Sequence, residues 1–247
     1  MSLTGVGEHF SEYFDVRLAN TDDLLRQVFR IRYDVYCREF GYEREENCPG
    51  GLERDEYDEF SVHCLILHRQ SGIGAGCIRI VVPPVARPDF LLPIERFCGD
   101  SLSHPDLHPS SLPRGRVVEL SRLAVHTQFR RRQGESESPV GRLAVGELTE
   151  DEKRTFPLVA LALFSAGLSL TRLSARHDGF VMMERRLARR LQATGFPFVQ
   201  VGEPLEYHGI RAPYHSTVDR IQESMPEMLR PLFEFVDHSL ERDFRVG

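Results

Sequence analysis

A chain of 247 residues, 41% hydrophobic and 28% charged, has the balance of a globular protein able to bury a sizeable core, and its formal charge of −6 gives no global attraction to nucleic acid or anionic lipid. No apolar run reaches the roughly 18–20 residues that cross a bilayer, and the stretch up to Phe14 lacks the basic head and apolar run of a secretory signal. Five scattered cysteines without a C-x-x-C pair suggest neither a disulfide framework nor zinc, so reduced thiols, no bound metal and a cytoplasmic location are expected.

In chain order, Thr21-Asp22-Asp23 reads as a helix N-cap, and Leu24, Leu25, Val28, Phe29, Ile31, Val35 and Tyr36 follow at helical spacing to about Arg38. Gly41 ends that helix. The polar stretch Tyr42 to Asp58, with Pro49-Gly50-Gly51, is expected to be a loop. Val62–Leu67 and Gly76–Val82 flank a turn and predict an antiparallel hairpin. Val117 to Val125 predicts a strand whose alternation breaks once, as a β-bulge would break it.

Gln133 to Thr155 is polar and reads as an insertion; Pro157 then opens a helix apolar on nearly every side, hence buried. A short strand at 179–182, an amphipathic helix ending near Gly195, a strand at 196–201 and a C-terminal helix at 221–240, interrupted near Pro226 and Pro231, complete the reading. The expected architecture is α/β: one three-layer α/β/α sandwich over residues 1–247, with an insertion at about 133–155 and a helical extension at about 217–247.

Two constellations carry chemistry. Glu53, Asp55 and Asp58 precede a strand and are either a solvated face or a paired cluster; the calcium-loop pattern is absent. Glu119-Leu120-Ser121-Arg122 puts charge inside an apolar strand, which is costly unless partnered. Glu119 and Ser121 share one strand face, with Leu120 and Arg122 opposite unless the bulge redirects one of them.

The collinear string Arg32-x-x-x-Tyr36, Gly41-Tyr42, Glu53-x-Asp55-x-x-Asp58, Gly76-x-x-Arg79 and Glu119 through Val125 resembles the acyl-homoserine lactone (autoinducer) synthases. Phe129 to Arg132 and Glu206 to Tyr214 more closely resemble the N-acyl amino acid synthases and the acyltransferases associated with exosortase (PEP-CTERM) systems. The chain has no tryptophan and carries Tyr36 and Tyr42 where autoinducer synthases usually carry Phe and Trp.

The resemblance implies a GNAT-like fold with a splayed mixed central sheet, and transfer of a fatty acyl group to the amine of an amino acid or of S-adenosylmethionine. The donor is acyl-phosphopantetheine on acyl carrier protein, or acyl-CoA, with no tightly bound cofactor. Carrier protein is the favoured partner, because Arg131-x-x-Gly134-x-Ser136 matches the GNAT pyrophosphate loop only in part. A catalytically silent acyl-binding module is the alternative from another class.

Within that frame Glu119 and Arg122 are the expected catalytic residues, Glu119 as general base or else a structural ion-pair partner of Arg122 or Arg79. Arg79 and Arg122 either clasp a substrate carboxylate or hold the acidic loop. Arg32, Tyr36, Tyr42, Glu53, Asp55, Asp58 and Arg79 are assigned to the acceptor side. Leu123, Ala124 and Val125 are assigned to the thioester, and Arg130, Arg131 and Arg132 to the anionic donor. One side of the Pro157 helix, with Phe90, Leu91 and Phe97, is expected to line an acyl tunnel. His208 is read as touching the acceptor or holding a structural hydrogen bond.

Overall fold

A computed structural model describes residues 5–129 and 156–246. Its elements are α1 (Gly5–Tyr13), β1 (Phe14–Leu18), α2 (Asp22–Arg32, continuing as π-type turns over Tyr33–Glu39), β2 (Ser61–His68), β3 (Gly74–Val81), α3 (Pro93–Cys98), β4 (Val117–Val125) and α4 (Phe156–Leu173). The second half holds β5 (Asp178–Met183), α5 (Arg185–Ala193), β6 (Val199–Gln200), β7 (Leu205–Glu206), β8 (Ile210–Thr217), α6 (Val218–Ser224) and α7 (Arg230–Val246). The insertion expected at 133–155, the partial pyrophosphate motif, and Arg130, Arg131 and Arg132 lie outside the described residues.

Among the described residues the strands form one mixed sheet in the order β1-β2-β3-β4-β5-β8-β6, with β7 paired to β8, and only β4–β5 is parallel. Helices cover both faces, as a three-layer sandwich requires. Val28, Phe29, Ile31 and Val35 of the α2 helix pack on Leu65, Cys77 and Ala124. On the opposite face, Val159, Leu163, Phe164 and Leu170 of α4 cover Ile66, Ile78, Val118 and Leu120, with α7 and α1 outside. Almost every α4 side chain from Val159 to Thr171 is buried, which is why its sequence is apolar all round.

Strand β4 carries the predicted bulge. Pairing with β3 runs from Val81–Glu119 to Arg79–Ser121, then resumes at Cys77–Ala124, so Arg122 and Leu123 oppose the single residue Ile78. Arg122 takes a left-handed backbone (φ 50°) to make room. The extra residue inverts the alternation: Val118 and Leu120 face α4, whereas Ala124 faces α2. On its other edge β4 pairs with β5 only from Val117–Asp178 to Leu120–Val181. Beyond that point the two strands part.

Several elements differ from expectation. Helix α1 was hidden by its polar composition, and β1 by its five-residue length, although Phe14, Val16 and Leu18 point inward in alternation. The strand expected at 196–201 shrinks to Val199–Gln200. The long β8 carries Pro213, whose carbonyl accepts from Val201 N–H. Pro226 does end a helix, but Pro231 lies in the first turn of α7, where a missing N–H costs nothing. Among the described residues no helix is long and apolar enough to cross a membrane.

A methyl group added at Gly167 of α4 would come 2.7 Å from Leu120 Cδ2. Gly167→Ala is therefore expected to lower unfolding free energy by about 1–3 kcal/mol through overpacking against β4. An unchanged urea midpoint would show that α4 has slack there.

Candidate functional site

The acidic loop is folded onto three arginines. Asp55 accepts from Tyr57 N–H at 2.9 Å, and Asp58 accepts from Asp55 N–H at 2.8 Å, a capping box that turns both carboxylates to one side. Arg32, fully buried at the end of α2, donates to Glu53 and, at 2.6 Å, to Asp58. Arg79 from β3 reaches Asp55 at 2.5 Å and Asp58 at 2.8 Å. Arg122 reaches Glu53 at 3.1 Å and Asp55 at 2.9 Å.

Three cations thus neutralise three carboxylates. Burial opposes ionisation of Glu53, Asp55 and Asp58, yet the arginines hold all three below the usual carboxylate range. The solvated-face alternative fails because the charges are paired, with Glu53 buried and Asp55 and Asp58 half-buried. Arg79 and Arg122 are occupied in ordering the loop rather than open to a substrate carboxylate.

Glu119 behaves differently. Its Oε2 accepts from Ile94 N–H, at the start of α3, at 2.7 Å, and among the described residues it forms no ion pair with Arg79 or Arg122. Burial pushes its carboxyl up to about 8, against the opposing pull of the Ile94 N–H, Arg79 and Arg122. The ion-pair alternative for Glu119 is thereby removed.

Two clefts meet at Leu120, Ser121 and Arg122. The first occupies the parting of the strands, between Leu120–Leu123 and Val181–Glu184, floored by Ile78 and Phe164. The second holds Glu119, Arg79, Asp55, Tyr36, Tyr42, Phe97, Tyr207, His208 and Arg211. Tyr36 lines both, and its hydroxyl donates to the Leu123 carbonyl at 2.7 Å.

The structure therefore brings together Arg32, Tyr36, Tyr42, Glu53, Asp55, Asp58, Arg79, Glu119 and Arg122. The bulge turns Arg122 to the side of Ser121, against strict alternation. Of the residues assigned to the thioester, Leu123 lines the parted cleft. Ala124 and Val125 are buried and pair with Cys77 and Gly76, while no strand partner faces their β5 side among the described residues.

The tunnel lining needs correction. Phe90 is buried against Tyr57, Leu91 is 53% exposed, and Phe97 borders the second cleft; only Phe164 of α4 reaches the parted one. Glu43, Met182, Tyr207 and Arg211 were not singled out from sequence. Tyr207 and Arg211 come from the β7–β8 hairpin, whose tip lays the His208 ring 4.9 Å from Tyr42. Among the described residues no group of His, Cys, Asp and Glu is arranged to hold a metal ion.

Residues 31–137 match the acetyltransferase (GNAT) domain family. The chain is 27% identical over 180 residues to an acyl-homoserine-lactone synthase of Agrobacterium fabrum, covering 73% of this chain and 72% of that one. The solved structure of the AHL synthase LasI aligns with TM-score 0.59 at 14% identity, over 86% of this chain and 94% of that one. FeeM, an N-acyl amino acid synthase from uncultured soil microbes, aligns with TM-score 0.54 at 14% identity, over the same shares. The fold is GNAT-like, an open mixed sheet with helices on both faces.

Proposed function

We propose that this GNAT-fold chain is an N-acyltransferase, working as one domain over 1–247, that moves a long-chain acyl group from a carrier-protein or coenzyme A thioester to the amine of an amino acid or related small molecule. One observation carries the reading: a cleft in the parting of two strands opens beside a buried carboxyl that forms no ion pair among the described residues, in an adjoining polar cleft.

In this mechanism the thioester lies along the parted edge of β4, where backbone from Leu123 to Val125 has no strand partner on the β5 side among the described residues and supplies N–H groups to the carbonyl oxygen. Glu119 takes a proton from the acceptor ammonium, directly or through water, and the neutral nitrogen attacks the carbonyl carbon. Attack forms the C–N bond and gives a tetrahedral intermediate, which collapses by re-forming the C=O bond and breaking the C–S bond; the departing thiolate takes up the proton that the attacking nitrogen gives up. Arg32, Arg79 and Arg122 hold the acidic loop closed over the acceptor side, with Tyr36 and Tyr42 as its walls. Arg130, Arg131 and Arg132 follow the donor strand and offer cations to carrier protein or to the pantetheine phosphate, without a tightly bound cofactor.

Incubation with decanoyl-acyl carrier protein and decanoyl-CoA, in the presence of the common amino acids and S-adenosylmethionine, followed by mass analysis of lipid-soluble products, tests the reading. N-acyl amino acids support it. The autoinducer-synthase reading is favoured by the likeness to the Agrobacterium fabrum enzyme, and an acyl-homoserine lactone would establish it instead. Carrier binding without turnover would mark a silent module.

Tyr36→Phe removes the tie between the α2 helix and the Leu123 carbonyl. Loss of one such hydrogen bond, about 1 kcal/mol, is expected to raise the donor KM roughly three- to tenfold. Unchanged donor kinetics would remove Tyr36 from the donor wall.

A further inference from the structure

Four groups capable of positive charge line the polar cleft: Arg79, Arg122, His208 and Arg211. The first two are spent on Asp55, Asp58 and Glu53. His208 is kept below its ordinary value by burial and by Arg211 and Arg122, and therefore stays neutral at pH 7. Arg211 remains. It is half-buried on β8, it lines both clefts, and it makes no ion pair or side-chain hydrogen bond among the described residues. Its guanidinium carbon sits 5.5 Å from the Tyr42 ring centroid, which steadies the group by cation–π attraction while leaving its N–H fork open.

An arginine held by a ring, lacking an internal anion and facing a cleft that also contains a base, suits a substrate anion better than a protein one. We infer that Arg211 binds the carboxylate of the amine acceptor, so that the acceptor class is an α-amino carboxylate held with its nitrogen toward Glu119. The inference rests on the transferase reading above and adds the group that selects the acceptor. The guanidinium fork matches a carboxylate at two points, whereas the thioester in the neighbouring cleft offers neutral amides along its arm. Free amino acids and S-adenosylmethionine share this chemistry, and the experiment separates them.

The test measures wild type, Arg211→Ala and Arg211→Lys with decanoyl-CoA and decanoyl-acyl carrier protein. Acceptors are the common amino acids and S-adenosylmethionine, each as the free acid and as its carboxamide. Wild type is expected to prefer the acid by roughly 10–100-fold in kcat/KM, the worth of a charge-assisted pair. Arg211→Ala should bring that ratio near one with the donor KM unchanged, and Arg211→Lys should restore part of it. Because the ratio is taken within one protein, partial loss of folded material cancels.

Equal use of acid and carboxamide by wild type, a ratio unaltered in Arg211→Ala, or an effect confined to the donor KM would each overturn the assignment. Wild type that acylates no acceptor at all would instead overturn the transferase reading, and the inference would fall with it.

Discussion

Glu119→Gln is expected to lower kcat by about 10²–10⁴-fold, the usual worth of a positioned general base, while donor binding stays intact. The variant keeps an oxygen that can accept from Ile94 N–H, so the loss reports the proton and not the fold. In wild type the carboxyl, pushed up to about 8, is protonated at lower pH and cannot act as a base. The kcat/KM profile should therefore rise through about pH 8 and lose that rise in the variant.

Stability gives an independent reading of the same group. Unfolded, Glu119 returns to an ordinary value of 4.5, so between 4.5 and about 8 the unfolded chain binds fewer protons than the folded one. Its contribution is present in full below 4.5 and fades as pH rises through the folded value. Glu119→Gln lacks this decline, and its stability relative to wild type should grow from pH 5 to pH 9 in urea titrations. Near-normal turnover, or a pH-independent stability difference, would remove Glu119 from the role.

Arg32→Met should be the most damaging change to the fold of the site. Arg32 is fully buried between Glu53 and Asp58, and its loss strands carboxylates that burial already disfavours. Breaking one partner out of such a cluster costs about 3–5 kcal/mol. Arg32→Met combined with Asp58→Asn should cost clearly less than the sum of the two, because the second change removes a charge that the first left unpaired. Additive losses would show that the two side chains do not share one network. Held below their ordinary values, the three carboxylates add stability that is present at neutral pH and is lost as pH falls through their folded values. Wild type should therefore be acid-sensitive, and Arg32→Met less so.

Much of this was legible in the chain. The Thr21 cap, the hairpin strands, the bulge in β4 and the all-round apolar α4 are local signals, and each appears where its pattern lay. The arginines and carboxylates could be named because a charge in an apolar strand demands a partner, though which carboxylate met which arginine depended on the Asp55–Asp58 capping box. Arg211 was not legible as a site residue. It reaches the cleft through the pairing of β8 with β5, a contact between segments about thirty residues apart that no periodicity announces. Glu119 was legible, but its contact with Ile94 N–H was hidden, since α3 is a six-residue helix amid prolines and short turns.

The Tyr36 hydroxyl, fixed to the Leu123 carbonyl, joins the wall of one cleft to the edge of the other. Any ligand that shifts the helix on its own side moves the rim that its co-substrate meets, so the two occupancies are energetically linked. Reciprocity then demands that whatever factor one substrate changes the affinity of its companion, the companion returns in equal measure.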